Sequence, residues 1–461
     1  MEKTGIQTES KYLKPSREAL VFRNSCIAFF FTLYVLPQYF GLPLPIFDFT
    51  VLRIMLLIMF LFVLGVKERQ RDFFGIIAES GSSKILIPYL FVLFYTMVLR
   101  VDVNAFLNPV IELISLYLLV YVIKNCFGIK NTLNYILIFS YLLAALGLVE
   151  YVLQRSPFSY LETIKGIYSG RFIRSGYYRI MGPSIHSLGY GLILVTMVPI
   201  ICYDIEKEEI NILKHKVLFL MVACNVFFTG SRSTLSVFLL EVVLLALLST
   251  RTNKKKLLLI GGFLFAIITA FVIAFQHTSV AQYIMLQLTS IVDELLGTTY
   301  SAKYGADLNA LGSSSNYRDQ LKYIFQVEWL NPFIGLGRNK SFSSEINGSF
   351  IRSVDNFYIA EFIRYGYPGM LCYIAFLLYF LIRMIQKCIQ NKSQISKVLF
   401  VGSLCYCINI FWLDSLQTLK YLYILFAIFL CLPANSPAAS KVRKWAAKEI
   451  PSKYIRQRGM P

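Results

Sequence analysis

Charge is scarce in this 461-residue chain: Asp, Glu, Lys and Arg make up only 15% of it, against about a quarter in soluble domains. With 56% hydrophobic residues and a mean hydropathy of +0.60, a water-soluble fold would carry more apolar surface than it could bury. The nine cysteines all lie within or beside apolar segments and none lies in a long polar loop, which excludes an exported disulfide framework. Cys405 and Cys407 are one residue apart with no His or second Cys pair nearby, so they read as small membrane hydrophobes rather than metal ligands. A nucleotide-binding glycine loop, internal repeats and low-complexity tracts are all missing, which argues against an ATP-driven pump.

Acidic residues are the scarcer sign, 26 against 45 Lys+Arg, which leaves a net charge of +19. In a soluble protein that excess would suggest nucleic acid. Here most basic residues flank apolar segments and can anchor helices to anionic headgroups, so membrane lipids are the expected partner and nucleic acid is not. Aromatics reach 15%, and many Tyr and Phe sit at the ends of the apolar runs, as interfacial belts require.

What the chain does have is a series of long apolar segments. Crossing about 30 Å of hydrocarbon takes about twenty residues, and segments of that kind recur near 19–40, 49–66, 85–101, 106–123, 132–154, 184–203, 215–230, 233–250, 257–276, 367–386, 397–413 and 417–433. The expected fold is an all-α polytopic membrane protein with about 12 transmembrane helices. The first segment follows a basic leader with no small-residue cleavage site after it, so it reads as a retained anchor. With both ends inside, 29 of the 45 Lys+Arg fall in cytoplasmic segments, Arg251 to Lys256 and the basic tail being the firmest markers. The chain then divides into residues 1–276 with nine helices, a large external loop 277–354 bearing short helices, further helices over 355–433, and a basic cytoplasmic tail 434–461.

Two outward segments go against the charge rule. Residues 155–183 carry Arg155, Lys165, Arg171, Arg174 and Arg179, and residues 277–354 carry Lys303, Arg318, Lys322, Arg338, Lys340 and Arg352. Exporting positive charge opposes the insertion preference, which implies a use for it. The 277–354 loop is rich in Ser, Gly and Asn, but Tyr317–Leu330 sets Leu321, Ile324 and Phe325 at helical spacing and includes Trp329, which argues for partial order.

Three places on this outer side could carry chemistry. In Gly230–Thr234 (GSRST), Ser231 can cap a helix whose N-terminus attracts anions, and Arg232 adds a planar fork matched to phosphate oxygens; the alternative is an Arg snorkelling at a helix end. Arg179 precedes Gly182-Pro183-Ser184, where Pro183 suits the first turn of a helix, and His186 just inside is either a satisfied interior residue or a base. Asp355-Asn356 opens the amphipathic segment 355–366, ahead of a break at Gly366 and Pro368. It is either an N-cap or a carboxylate able to take a proton from a hydroxyl.

In these pieces the chain resembles the Wzy-type O-antigen and capsule polymerases and the related O-antigen ligases, a superfamily of membrane glycosyltransferases. The resemblance rests on RIMGPSIHSLGYG at Arg179–Gly191, GSRST at Gly230–Thr234, NYRDQLKYIFQVEWLNPFIGLG at Asn316–Gly337 and DNFYIAEFIRYGYPG at Asp355–Gly369. It covers roughly residues 171–370 and implies a GT-C-like helical fold. It also implies that Arg232 and Arg318 bind the undecaprenyl pyrophosphate of a donor, with Arg179 as a third contact. Arg171, Arg338, Arg352, Arg364 and Asn356 are further substrate-binding candidates. Ligases usually carry His-Asn where this chain has Asp355-Asn356, a departure that leans towards polymerase and leaves Asp355 as base or cap.

The expected activity is therefore a hexosyltransferase of the cytoplasmic (inner) membrane, its active site facing outward. It would move a growing glycan from undecaprenyl pyrophosphate to the next lipid-linked repeat unit, with Asp355 as base and Glu361 and Asp319 in reserve. Without an outward His/Asp/Glu group at ligand spacing, no metal or other cofactor is expected. A chain-length regulator protein is a further partner allowed by the resemblance. The rival readings are an O-antigen ligase and, from another class, a flippase or secondary transporter.

Overall fold

The computed structural model describes residues 17–44, 48–166, 168, 170, 172–306 and 317–433. The chain is mostly helical. Its helices are α1 (Arg17–Val35), α2 (Val51–Leu64), α3 (Lys67–Glu79), α4 (Ser83–Arg100), α5 (Val103–Val122), α6 (Gly128–Leu153), α7 (Ser187–Ile201), α8 (Lys216–Phe228), α9 (Arg232–Leu248), α10 (Arg251–Ala274), α11 (Ser279–Leu296), α12 (Phe357–Asn391), α13 (Gln394–Asn409) and α14 (Leu419–Cys431). The described strands form four small antiparallel pairs, 41–42 with 49–50, 173–174 with 177–178, 203–204 with 209–210, and 344–346 with 349–351.

Each of the twelve apolar segments contains a helix. Among the described residues, four helical runs are long and apolar enough to cross a membrane: Ser83–Arg100, Val103–Leu153, Arg251–Ala274 and Phe357–Asn391. Five further apolar helices are shorter, α8 for example having 13 residues. By length and composition the structure is a multi-pass helical membrane protein, with four full-length spans where the sequence suggests twelve. The Val103–Leu153 run is interrupted at Gly128 (φ 65, ψ 169), after a π turn over Ile123–Phe127. Its two halves pack on different partners, α5 against α4 and α14, α6 against α8.

Helix starts follow the polar residues ahead of each apolar run. Thr50, Asp102, Ser231, Thr250, Thr278, Asn356 and Ser393 each accept a hydrogen bond from the backbone N–H three residues on. The core is centred on α7 and α14, nearly all of whose residues are buried, with α13 packed on α7, α9, α12 and α14. By contrast, no residue of α10 is buried, as suits a helix whose sides face hydrocarbon.

Two helices differ from the sequence-based expectation. The amphipathic α3 lies between α2 and α4, and α11 puts 18 helical residues inside the 277–354 segment. Asp293 closes α11 by accepting from the Thr298 hydroxyl at 2.6 Å and from the N–H groups of Tyr300 and Ser301 at 2.8 Å each. Burial pushes its carboxyl up, but these donors outweigh burial and hold it at about 2. Over Tyr317–Leu330 the chain is helical at first and then 3₁₀ over Leu321–Gln326, with Leu321 and Ile324 buried.

Candidate functional site

The connection between α6 and α7 is shaped from below by Glu150, near the end of α6. Its carboxylate accepts from the N–H groups of Met181 and Gly182 at 2.7 and 2.9 Å and from the Tyr178 hydroxyl at 3.0 Å. Gly182 takes φ +51, and an added β-carbon there would lie 2.5 Å from the Tyr190 ring, which leaves no room for a side chain. The helix expected to begin at Pro183 begins four residues later. Its N-cap is His186, whose Nδ1 accepts from Leu188 N–H at 3.1 Å, because the Glu150-held turn uses up residues 181–185 first.

That turn brings Arg179 beside the start of α9. Its Nε donates to the Thr229 carbonyl at 2.6 Å and its guanidinium lies 4.9 Å from the Phe172 ring centre. Arg179 is 3% exposed, and its Nη2 has no hydrogen-bond partner among the described residues. Burial, then the nearby Arg174 and Arg232 cations, push it down to about 9, which leaves it cationic at neutral pH. One turn on, Ser231 caps α9 by accepting from Thr234 N–H at 3.3 Å.

The far wall comes from the last third of the chain. Leu336 and Gly337 N–H donate to the carbonyls of Ile363 and Arg364 at 2.7 and 3.0 Å, and Tyr367 N–H donates to Pro332 at 2.7 Å. Two of the motifs thus meet at the break in α12, where Gly366 has φ 68 and ψ −172. The start of α12 is tied to the turn after α13: Phe357 N–H reaches the Ile410 carbonyl at 3.0 Å and Asn356 Nδ2 the Phe411 carbonyl at 2.8 Å. Asn356 caps α12 by accepting from Ile359 N–H at 3.0 Å. Asp355, one residue earlier, is thereby released from capping, and its carboxylate accepts from Ser353 at 3.3 Å.

These pieces enclose a cavity of about 400 Å³. It is lined by Arg174, Arg179, Arg232, Arg318, Asp355, Asp414, His186 and the serines 231, 233 and 353, with Phe172 and four aliphatic residues. Four of the residues singled out in the sequence, Arg179, Arg232, Arg318 and Asp355, line it together. A chamber of about 30 Å³ behind them shares Arg174, Arg179 and Arg232 with it and is completed by Tyr283, Gln287 and Ser290 of α11.

The other candidates are elsewhere. Arg338 lies in a buried network: its Nε donates to the Tyr365 hydroxyl at 2.8 Å, its guanidinium is 3.7 Å from Glu361, and its backbone N–H is held by Asp102. Arg364 bridges Glu361 at 3.1 Å and Asp414 at 2.6 Å, so it reaches the cavity only through Asp414. Glu361 also accepts from Tyr89 at 3.1 Å, and this buried pairing takes it out of the cavity lining. Arg352 is exposed, 4.9 Å from the Phe350 ring centre, and Asp319 is exposed as well. Asn356 lines a separate groove. Arg171 lies outside the described residues.

Sequence reasoning passed over Asp414 and Phe172. Asp414 stands alone between apolar segments with no motif around it, and only the fold brings it into the cavity that Arg232 lines. A charged residue next to the predicted outer end of the eleventh apolar segment was the available signal.

Residues 217–374, about a third of the chain, match the family model described as O-antigen ligase. The match spans α8 to the first half of α12 and includes Arg232, Arg318 and Asp355. A search of curated proteins finds no match. The apolar helices indicate a multi-pass membrane protein, and residues 217–374 are similar to the O-antigen ligase family, whose members have glycosyl-transfer activities.

Proposed function

We propose that this chain is a polysaccharide polymerase of the cytoplasmic membrane. It transfers a growing glycan from undecaprenyl pyrophosphate to a hydroxyl of the next lipid-linked repeat unit on the outer face. The observation that carries the reading is that Arg174, Arg179, Arg232, Arg318 and Asp355 line one cavity together. Guanidinium forks and the capped N-terminus of α9 suit a pyrophosphate, whose charge grows as the anomeric bond breaks. The acceptor oxygen attacks the anomeric carbon and its proton passes to the Asp355 carboxylate. The electron pair of the broken C–O bond leaves on the pyrophosphate. The donor bond supplies the energy, so no nucleotide sugar is needed.

The second reading is a ligase that hands finished glycan to another lipid or protein, and the family match favours it equally. Surface lipopolysaccharide from a deletion strain separates the two. A strain without the polymerase leaves a single repeat unit on the core, and a strain without the ligase leaves none. In either case the cytoplasmic membrane, the outward-facing site and the lipid-linked donor belong to the proposal; the lipid-linked acceptor and a chain-length regulator as partner belong to the polymerase reading.

A further inference from the structure

Two apolar grooves adjoin Ile408, in the last turn of α13, and Trp412, three residues past its end. The larger, about 620 Å³, lies between α12 and α13, where Ile374, Leu377, Leu378 and Leu381 face Cys407 and Phe411. The smaller, about 290 Å³, runs along Ser236, Val237 and Leu240 of α9 towards Ile291 of α11. Ile408 and Trp412 line both.

Both grooves adjoin the arginine-lined cavity, at different points. Ser233 lines the smaller groove and the cavity alike, which places that groove's mouth beside Arg232 and the α9 N-terminus. Asn356 and Trp412 line the larger groove, while their chain neighbours Asp355 and Leu413 line the cavity. The mouth of the larger groove is therefore beside the carboxylate.

We infer that the larger groove holds the polyprenyl chain of the acceptor, and the smaller one the polyprenyl chain of the donor. This rests on the transfer between two lipid-linked glycans proposed above and assigns a separate chain site to each. The α12 positions 374, 377, 378 and 381 follow one helical face for seven residues, roughly 10 Å. Lys322 is the one charged residue lining the groove, at the loop end where a lipid phosphate would sit. Leu378 and Phe411 are 49% and 57% exposed, so the groove opens sideways for a chain to enter from the bilayer. The arrangement sets the two lipid-linked substrates on either side of the cavity, the donor pyrophosphate at Arg232 and the acceptor glycan free to reach over Asp355.

The test is photo-cross-linking of the full-length protein in nanodiscs of phosphatidylethanolamine and phosphatidylglycerol containing a small fraction of undecaprenyl pyrophosphate. p-Benzoylphenylalanine replaces Leu378 in the larger groove, Leu240 in the smaller one, or Leu264 on the lipid-facing α10, and captured lipids are identified by mass spectrometry. The expected result is undecaprenyl pyrophosphate enriched about tenfold over its bilayer share at 378 and at 240 but not at 264. Lys322→Ala should lower the enrichment at 378 several-fold and leave 240 unchanged. Phospholipid alone at 378 in its bilayer proportion, with enrichment kept at 240, overturns the acceptor groove and leaves the donor reading standing. Enrichment at neither position overturns both the grooves and the proposed transfer.

Discussion

The Nε of Arg179 donates to the carbonyl oxygen of Thr229 at 2.6 Å, and this bond couples the α6–α7 connection to the start of α9. Two segments fifty residues apart in sequence thus present Arg179 and Arg232 to the same cavity. Gly230 sits under the contact with φ +59, where an added β-carbon would lie 3.1 Å from Arg179 Nε and 3.2 Å from its Cγ.

Gly230→Ala should displace Arg179 without emptying the core. We expect the KM for the lipid-linked donor to rise about tenfold, from backbone strain and a misplaced cation, while protein in the membrane stays near the wild-type level. Initial rates against donor concentration check it. An unchanged KM would mean that Arg179 does not meet the donor.

Asp355 and Asn356 are adjacent and have different expected roles. Asp355→Asn removes the base and should slow transfer by about 10²- to 10⁴-fold at normal protein levels. Asn356→Ala removes a helix cap and the bond to the Phe411 carbonyl, costs about 1–3 kcal/mol of stability and should leave most of the rate. Rate and thermal unfolding of the two purified variants separate the effects. Normal chain lengths from Asp355→Asn would move the base elsewhere.

Arg179 carries a pH signature. Its pKa is lowered to about 9 by burial first and by Arg174 next. The cation is present at neutral pH and is lost as pH rises through about 9, so anion affinity should fall over that window. The unliganded fold gains stability from about pH 9 up to the ordinary arginine value, because there the unfolded chain binds more protons. Calorimetric titration with inorganic pyrophosphate from pH 7 to 10 should show the loss of affinity, and Arg179→Ala should show a weaker affinity without that limb.

The break in α12 makes a backbone test. A β-carbon at Gly366 would collide with the Pro332 carbonyl and adopt φ +68. Gly366→Ala should destabilise the fold by more than about 1 kcal/mol and lower the amount of folded protein in membranes, measured by detergent-resistant fluorescence of a tagged chain. Unchanged levels would show that the loop and α12 can separate without cost.

Much of this was legible in the sequence for physical reasons. Apolar runs bounded by Thr, Ser, Asn and Asp become helices at those positions, and GSRST becomes a capped N-terminus with Arg232 at its first residue. Gly335, Gly337 and Gly366 hold positive φ where the loop meets α12, which is why the motif spacing is informative. The less legible features depend on long-range contact. Asp414 acquires its place through Arg364, and Arg338 is diverted from the cavity by Glu361 and Tyr365. No local pattern distinguishes a buried arginine in an ion network from one facing a ligand. The α11 helix was hidden because its amphipathic pattern sits inside a stretch otherwise polar enough to read as loop.

The central claim is that the arginines of this cavity hold the donor pyrophosphate during transfer. Its most direct test is surface polysaccharide from a strain whose only copy carries Arg232→Ala, compared by gel ladder and immunoblot with wild type at equal protein level. The account predicts loss of polymer by about 10²- to 10³-fold, with lipid-linked repeat units accumulating. A normal ladder from that strain would contradict it.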